Sequence, residues 1–166
     1  MTNRLEDPKT IRLDRMRYAK NLFSSRLTYL AILFDVLYFV SVYESDVGSW
    51  YYQMLIGASI VYNLVFMLVS FLASEGVKSY KASYAWLLIG AGVGQIVRIF
   101  ILPMQAYRAT VTISKVTYPV MELPQLTWVI ICLAASALCC FAAGIVGVYR
   151  SRTLAAYNAS LQEKAA

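Results

Sequence analysis

The sequence predicts an all-α integral membrane protein: four transmembrane helices in a bundle, both termini cytoplasmic, and a basic N-terminal helix in the cytoplasm or at the interface. Three observations predict it. Four apolar runs carry most of the 166 residues; only two full charges, Asp35 and Arg98, lie inside those runs; and the other basic residues collect on one side. Hydrophobic residues make up 60% of the chain and charged residues 14%. An ordinary soluble domain has about 25% charged residues, so much of this surface must face lipid.

In chain order, Met1–Lys9 is polar, contains Pro8 and reads as a loose tail. From Thr10 the segment TIRLDRMRYAKNLFSSR has good helix formers and no breaker. On a helical wheel Ile11, Tyr18 and Leu22 form one stripe and Leu13, Met16 and Phe23 another, with basic residues between. A helix lying on a bilayer shows one apolar face. Two stripes fit either a helix wedged between the bilayer and a partner protein, or a basic topogenic flank with incidental hydrophobes. Residues 1–26 are thus a basic tail and helix, with the six apolar residues as candidate partner-docking positions.

The spans are expected at about 27–43, 51–73, 83–102 and 126–148. A crossing needs roughly 20 apolar residues at about 1.5 Å rise each. The first run is short unless Leu22 and Phe23 join it, with Arg26 snorkelling to the headgroups. A cleaved signal peptide is its competing reading. That fits poorly, because a polar segment precedes the run, Asp35 interrupts it and no small-residue cleavage site closes it. The tight connection after Tyr43 leads to Trp50, Tyr51 and Tyr52, where an aromatic belt belongs. Gly76 is placed to end the second span as a left-handed cap, and Pro103 ends the third. The external loop 103–125 contains a β-branched stretch around Val111 and Ile113 interrupted by Pro119 and Pro124. That is a strand or short-hairpin signal. A lone strand would find no partner in the bundle, so the stretch either lies at the interface as irregular structure, which is the expectation, or meets an external partner. Residues 149–166 form a second cytoplasmic tail.

The net charge of +6 follows the topology. Arg4, Lys9, Arg12, Arg15, Arg17, Lys20 and Arg26, then Lys78 and Lys81, then Arg150, Arg152 and Lys164 fall on one side, whereas Arg108 and Lys115 fall on the other. The positive-inside bias makes the richer side cytoplasmic and removes any need for a nucleic-acid partner. There is no histidine, and Cys132, Cys139 and Cys140 all lie in the last span. A disulfide framework and a zinc site are therefore not expected, and no cofactor or nucleotide motif occurs.

Within the spans, Gly90 and Gly94 make a G-x-x-x-G step that leads to Arg98, and Ala135, Cys139, Ala143 and Gly147 make a small-residue stripe, with Ser136, Cys140 and Gly144 as a neighbouring one. Both are expected to bring helices close together. An unpaired charge at this depth is expensive, so Asp35 and Arg98 are expected to pair, in a network with Gln95 and Asn63, or else one of them pairs with a charge on another subunit. A proton relay through Asp35 is the weaker reading, because no second carboxylate or histidine continues a path.

The chain is small for an independent carrier and shows no catalytic constellation. The functional expectation is a non-enzymatic accessory or structural subunit of a larger complex in the cell membrane, foremost a transporter. Its partners would be the lipid bilayer and other membrane subunits, with no metal and no cofactor. The alternative is a self-sufficient homo-oligomeric channel or small transporter built on Asp35, Asn63, Gln95 and Arg98.

Overall fold

The computed structural model describes residues 8–43, 50–113 and 116–165. Most of the expected tail and the expected tight turn after Tyr43 lie outside these residues. The described residues form α1 (Pro8–Tyr18), α2 (Leu22–Tyr43), α3 (Trp50–Lys78), α4 (Ala82–Ile101), α5 (Pro103–Arg108), β1 (Thr110–Ile113), β2 (Val116–Pro119) and α6 (Leu123–Ala165). Helices α2, α3, α4 and α6 are each long and apolar enough to cross a membrane, which is the build of a multi-pass membrane protein.

The first spanning helix starts at Leu22, not Leu27, so Leu22 and Phe23 do join it, and both stay half exposed. Its 22 residues reach about 33 Å, enough for a hydrocarbon core of about 30 Å. Helix α6 has 43 residues and a length of about 65 Å. It runs unbroken through the expected tail at 149–166, which is therefore a helical extension of the fourth span as far as Ala165. Pro124 sits in its first turn, where a missing N–H leaves no bond unmade.

The four long helices form a ring in which α6 packs on α2 and α4, and α3 packs on the opposite sides of the same two helices. The α4–α6 seam is the closest. A Cβ on Gly144 would come within 2.8 Å of the Ala85 carbonyl oxygen and 2.6 Å of Ile89, and one on Gly147 within 2.9 Å of the Ala85 methyl. Ala143 is fully buried with Ala85, Leu88, Ala73 and Val77. Of the expected stripe, Ala143 and Gly147 are buried while Ala135 and Cys139 are half-buried, and Cys139 packs beside Ala31, Phe66 and Cys140. The expected Gly90–Gly94 face needs correcting. Gly90 is exposed and a Cβ there would meet nothing in this chain. The α4 glycine that faces α6 is Gly92, against the Phe141 ring, while Gly94 faces Tyr62 of α3.

The end of α3 also differs from expectation. Gly76 is helical and buried, because the Tyr84 ring occupies the place its Cβ would take. The left-handed residue is Tyr80, at φ 57°. Lys81 N–H donates to the Gly76 carbonyl at 3.1 Å and Tyr80 N–H to that of Val77 at 3.1 Å. These are the two bonds of a Schellman cap, here formed without glycine at the left-handed position.

In the segment between α5 and α6 the described residues form a two-stranded antiparallel ladder. Strands β1 and β2 pair antiparallel, with Thr110 opposite Pro119 and Ile113 opposite Val116. The β-branched stretch supplies both strands, so neither lacks a partner. Pro119 sits at the end of the ladder, where its missing donor matters least. Below the hairpin, Val120 and Met121 pack on Ala106 and Leu126.

Candidate functional site

Asp35 lies about 20 Å along α2 from Leu22, and Arg98 about 24 Å along α4 from Ala82. The two helices stand diagonally in the ring, so their side chains meet across the bundle axis. Arg98 Nη1 donates to Asp35 Oδ1 at 3.0 Å. The Asp35 side chain is fully buried and that of Arg98 is 6% exposed. Gln95 Nε2, one turn before Arg98, donates to the same carboxylate oxygen at 2.9 Å. From α3, Asn63 Oδ1 accepts from Arg98 Nη1, and Ser59 Oγ accepts from Nη2 at 2.7 Å. The structure thus brings Asp35, Asn63, Gln95 and Arg98 into one network within the chain.

Two aromatic rings complete the enclosure. The guanidinium carbon lies 4.2 Å from the Tyr38 ring centroid and 4.8 Å from that of Tyr62. Ring faces attract cations, and more strongly when water is excluded. The carboxylate therefore balances the charge, while two π faces and the acceptors Asn63 Oδ1, Ser59 Oγ and the Ser59 carbonyl, the last at 3.3 Å from Nη2, hold the guanidinium's direction. Such an arrangement locks α2, α3 and α4 together. Asp35 Oδ2 and Gln95 Oε1 keep acceptor capacity, and Asn63 Nδ2 and Arg98 Nε keep donor capacity, with no partner among the described residues. Beside the network a cleft of about 320 Å³ lies between α3 and α4, bordered by Ala58, Ser59, Tyr62, Gly94, Val97 and Arg98.

A second polar layer sits at the end of the bundle that carries α1 and the α6 extension. Asn21 Nδ2 donates to Ser24 Oγ at 3.0 Å, and Arg150 Nη1 donates to Asn21 Oδ1 at 2.7 Å. Ser25 and Ser74 hydroxyls lie 2.8 Å apart, and Thr28 donates to the Ser24 carbonyl at 2.9 Å. Deeper, Ser136 Oγ donates to the Ala31 carbonyl at 2.9 Å. Sequence reasoning had Ser136 as a packing position only, and missed the other members of this layer as well as Ser59, Tyr38 and Tyr62. A helical signal was there: Tyr38 is three residues from Asp35, Ser59 four from Asn63, and Tyr62 three from Ser59.

The expected docking residues divide. Leu13 and Met16 are half-buried and turn toward α6, whereas Ile11, Tyr18, Leu22 and Phe23 are exposed. Among the described residues no group of three or more His, Cys, Asp or Glu side chains is placed to hold a metal ion. The three cysteines are free thiols. Comparison with protein-family models, curated proteins and solved structures returned no match.

Proposed function

We propose that this chain is a non-enzymatic accessory subunit of a larger membrane complex, in the first instance a transport complex, held in the cell membrane with both termini cytoplasmic. The observation that carries this reading is the helical extension of α6. Beyond Arg150 it is touched by α1 through Tyr157 and Asp14 at 3.3 Å, and next to that contact lies an open groove lined by Arg17 of α1 and by Leu154, Asn158, Leu161 and Gln162 of α6. A helix extended this far past the bilayer, with apolar residues at three- and four-residue spacing, is built to lie against another subunit. The enclosed Asp35–Arg98 pair supports the same reading, since its charges are spent on holding the bundle.

The test is gentle detergent extraction with a photo-crosslinker at Asn158, followed by identification of every bound polypeptide. Unrelated membrane polypeptides should co-purify and crosslink, and removal of residues 154–165 should release them while the bundle keeps its melting temperature. A single-component oligomer unaffected by that removal refutes the proposal. One observation favours a second reading, a self-sufficient homo-oligomeric channel or small transporter: the α3–α4 cleft runs up to a network with spare donors and acceptors. Solute or ion flux through vesicles containing only this chain, abolished by Ser59→Leu, would establish that alternative.

A further inference from the structure

Where α1 crosses α6, a pocket of about 320 Å³ opens at the edge of the bundle. Lys9, Arg12 and Arg150 stand around it, while Leu13, Met16 and Tyr149 give it an apolar floor and side. No carboxylate is among the described side chains lining it. The one described acid of α1, Asp14, is turned elsewhere, 3.6 Å from Arg17 and 3.3 Å from the Tyr157 hydroxyl. Arg150 is held in place by its bond to Asn21 and lies 5.9 Å from the Phe23 ring.

The pocket's height along the bundle decides what can fill it. Tyr149 follows the last apolar residues of the fourth span, and Phe23 belongs to the first turn of α2; both rings are largely exposed. Exposed aromatics at the ends of apolar spans mark the membrane–water boundary. The three cations therefore sit at headgroup height and the apolar floor faces the acyl region. Charge and shape together fit one occupant, a phospholipid whose phosphate meets Lys9, Arg12 and Arg150 while an acyl chain descends along Leu13 and Met16.

We propose that the α1–α6 junction is a binding site for a single anionic phospholipid of the leaflet at this end of the bundle. The lipid would act as a strut, fixing the amphipathic α1 against α6. The site requires no partner protein, so it stands or falls independently of the subunit reading.

The test uses the full chain, delipidated in detergent and returned to phosphatidylcholine nanodiscs containing phosphatidylglycerol, with retained lipid counted by native mass spectrometry. One phosphatidylglycerol per chain should be retained in preference to phosphatidylcholine. The double variant Lys9→Gln/Arg12→Gln keeps the Arg150–Asn21 bond and should lose about thirtyfold in retention. A charge-matched control, Arg26→Gln/Lys81→Gln, removes two cations from the same end but outside the pocket and should change retention no more than about threefold. Leu13→Trp fills the floor without changing charge and should also expel the lipid. Equal losses in the charge-matched control and the double variant, or retention that survives both pocket variants, overturn the proposal.

Discussion

Helix α4 meets its two neighbours by different physics. Toward α6 it presents Ala85, Ile89 and Gly92 to Gly144, Gly147 and Phe141, and the backbones close until a single added methyl group would collide. Toward α3 it covers Gly76 with the Tyr84 ring, meets Tyr62 at Gly94 and packs Ala85 and Leu88 with Ala73 and Val77, but a cleft remains, and beside it Arg98 reaches Asn63 and Ser59. In lipid, apolar surface gains little by leaving one hydrocarbon for another, so helices associate through close van der Waals approach or through polar bonds. The α4–α6 seam uses the first, and the α3–α4 seam adds the second where the cleft interrupts its packing. A bundle can therefore leave an opening on one side of a helix provided a buried polar cluster secures that side.

If the cluster is what secures the α3 side, breaking it should have the largest effect. Asp35→Asn leaves the guanidinium buried without its counter-charge, and Arg98→Met leaves the carboxylate so. Each should destabilise the protein by about 3–5 kcal/mol in detergent unfolding, the range for one broken partner of a buried pair. The double variant should lose less than the sum by at least about 2 kcal/mol. Additive losses would mean that the two charges are stabilised separately, and the contrast between the seams would collapse.

The α6 side makes the opposite demand. Gly144→Ala places a methyl group against the Ala85 carbonyl and Ile89, and overpacking of this kind costs about 1–3 kcal/mol. Gly90→Ala, on the same helix as Gly92 but facing nothing in the chain, should be neutral or raise stability by up to about 1 kcal/mol through helix propensity. Thermal unfolding of the two variants in one detergent tells them apart. A loss at Gly90 similar to that at Gly144 would show that the exposed glycine also packs, against a second chain.

A smaller effect separates hydrogen bonding from packing at the end of the bundle near α1. Ser25→Ala leaves the buried Ser74 hydroxyl with only its longer bond to the Ser25 carbonyl, at 3.5 Å, and should cost about 1 kcal/mol. Ser25→Ala/Ser74→Ala removes both partners and should recover most of that. If the double variant is as unstable as the sum of the singles, the two hydroxyls bond to other groups as well as to each other.

How much of this was legible in the sequence depended on the range of the interaction. The four spanning helices follow from apolar run length, and the Asp35–Arg98 network follows from the cost of an unpaired charge at depth combined with the rise per residue. The glycine contacts were only half legible. A G-x-x-x-G step marks a face that can pack, but which glycine meets a neighbour depends on helix rotation, and α4 is turned so that Gly92 faces α6. Tyr38 and Tyr62 were not singled out: helical spacing puts Tyr38 on the Asp35 face, but a cation–π contact also needs the arginine's trajectory, which spacing does not specify. The hairpin was set aside for lack of a pairing partner, although the stretch that supplied one strand was long enough to turn and supply the second.

The turn between α3 and α4 gives the smallest prediction and a control for the rest. Tyr80 adopts the left-handed conformation at φ 57°, which places Cβ close to the following carbonyl oxygen and disfavours any residue but glycine by about 1–2 kcal/mol. Glycine has more backbone freedom to lose on folding, which offsets part of the gain. Tyr80→Gly should therefore raise stability by about 1 kcal/mol or slightly less. The Schellman bonds from Lys81 to Gly76 and from Tyr80 to Val77 need only backbone atoms and survive the change. Because the turn joins α3 to α4 without entering their seam, the gain should add to the losses from Asp35→Asn and from Gly144→Ala within about 0.5 kcal/mol. Non-additivity with Asp35→Asn alone would show that the polar cluster sets the path of the turn, and that the α3 side of α4 is positioned from within the membrane and not from the connection at its end.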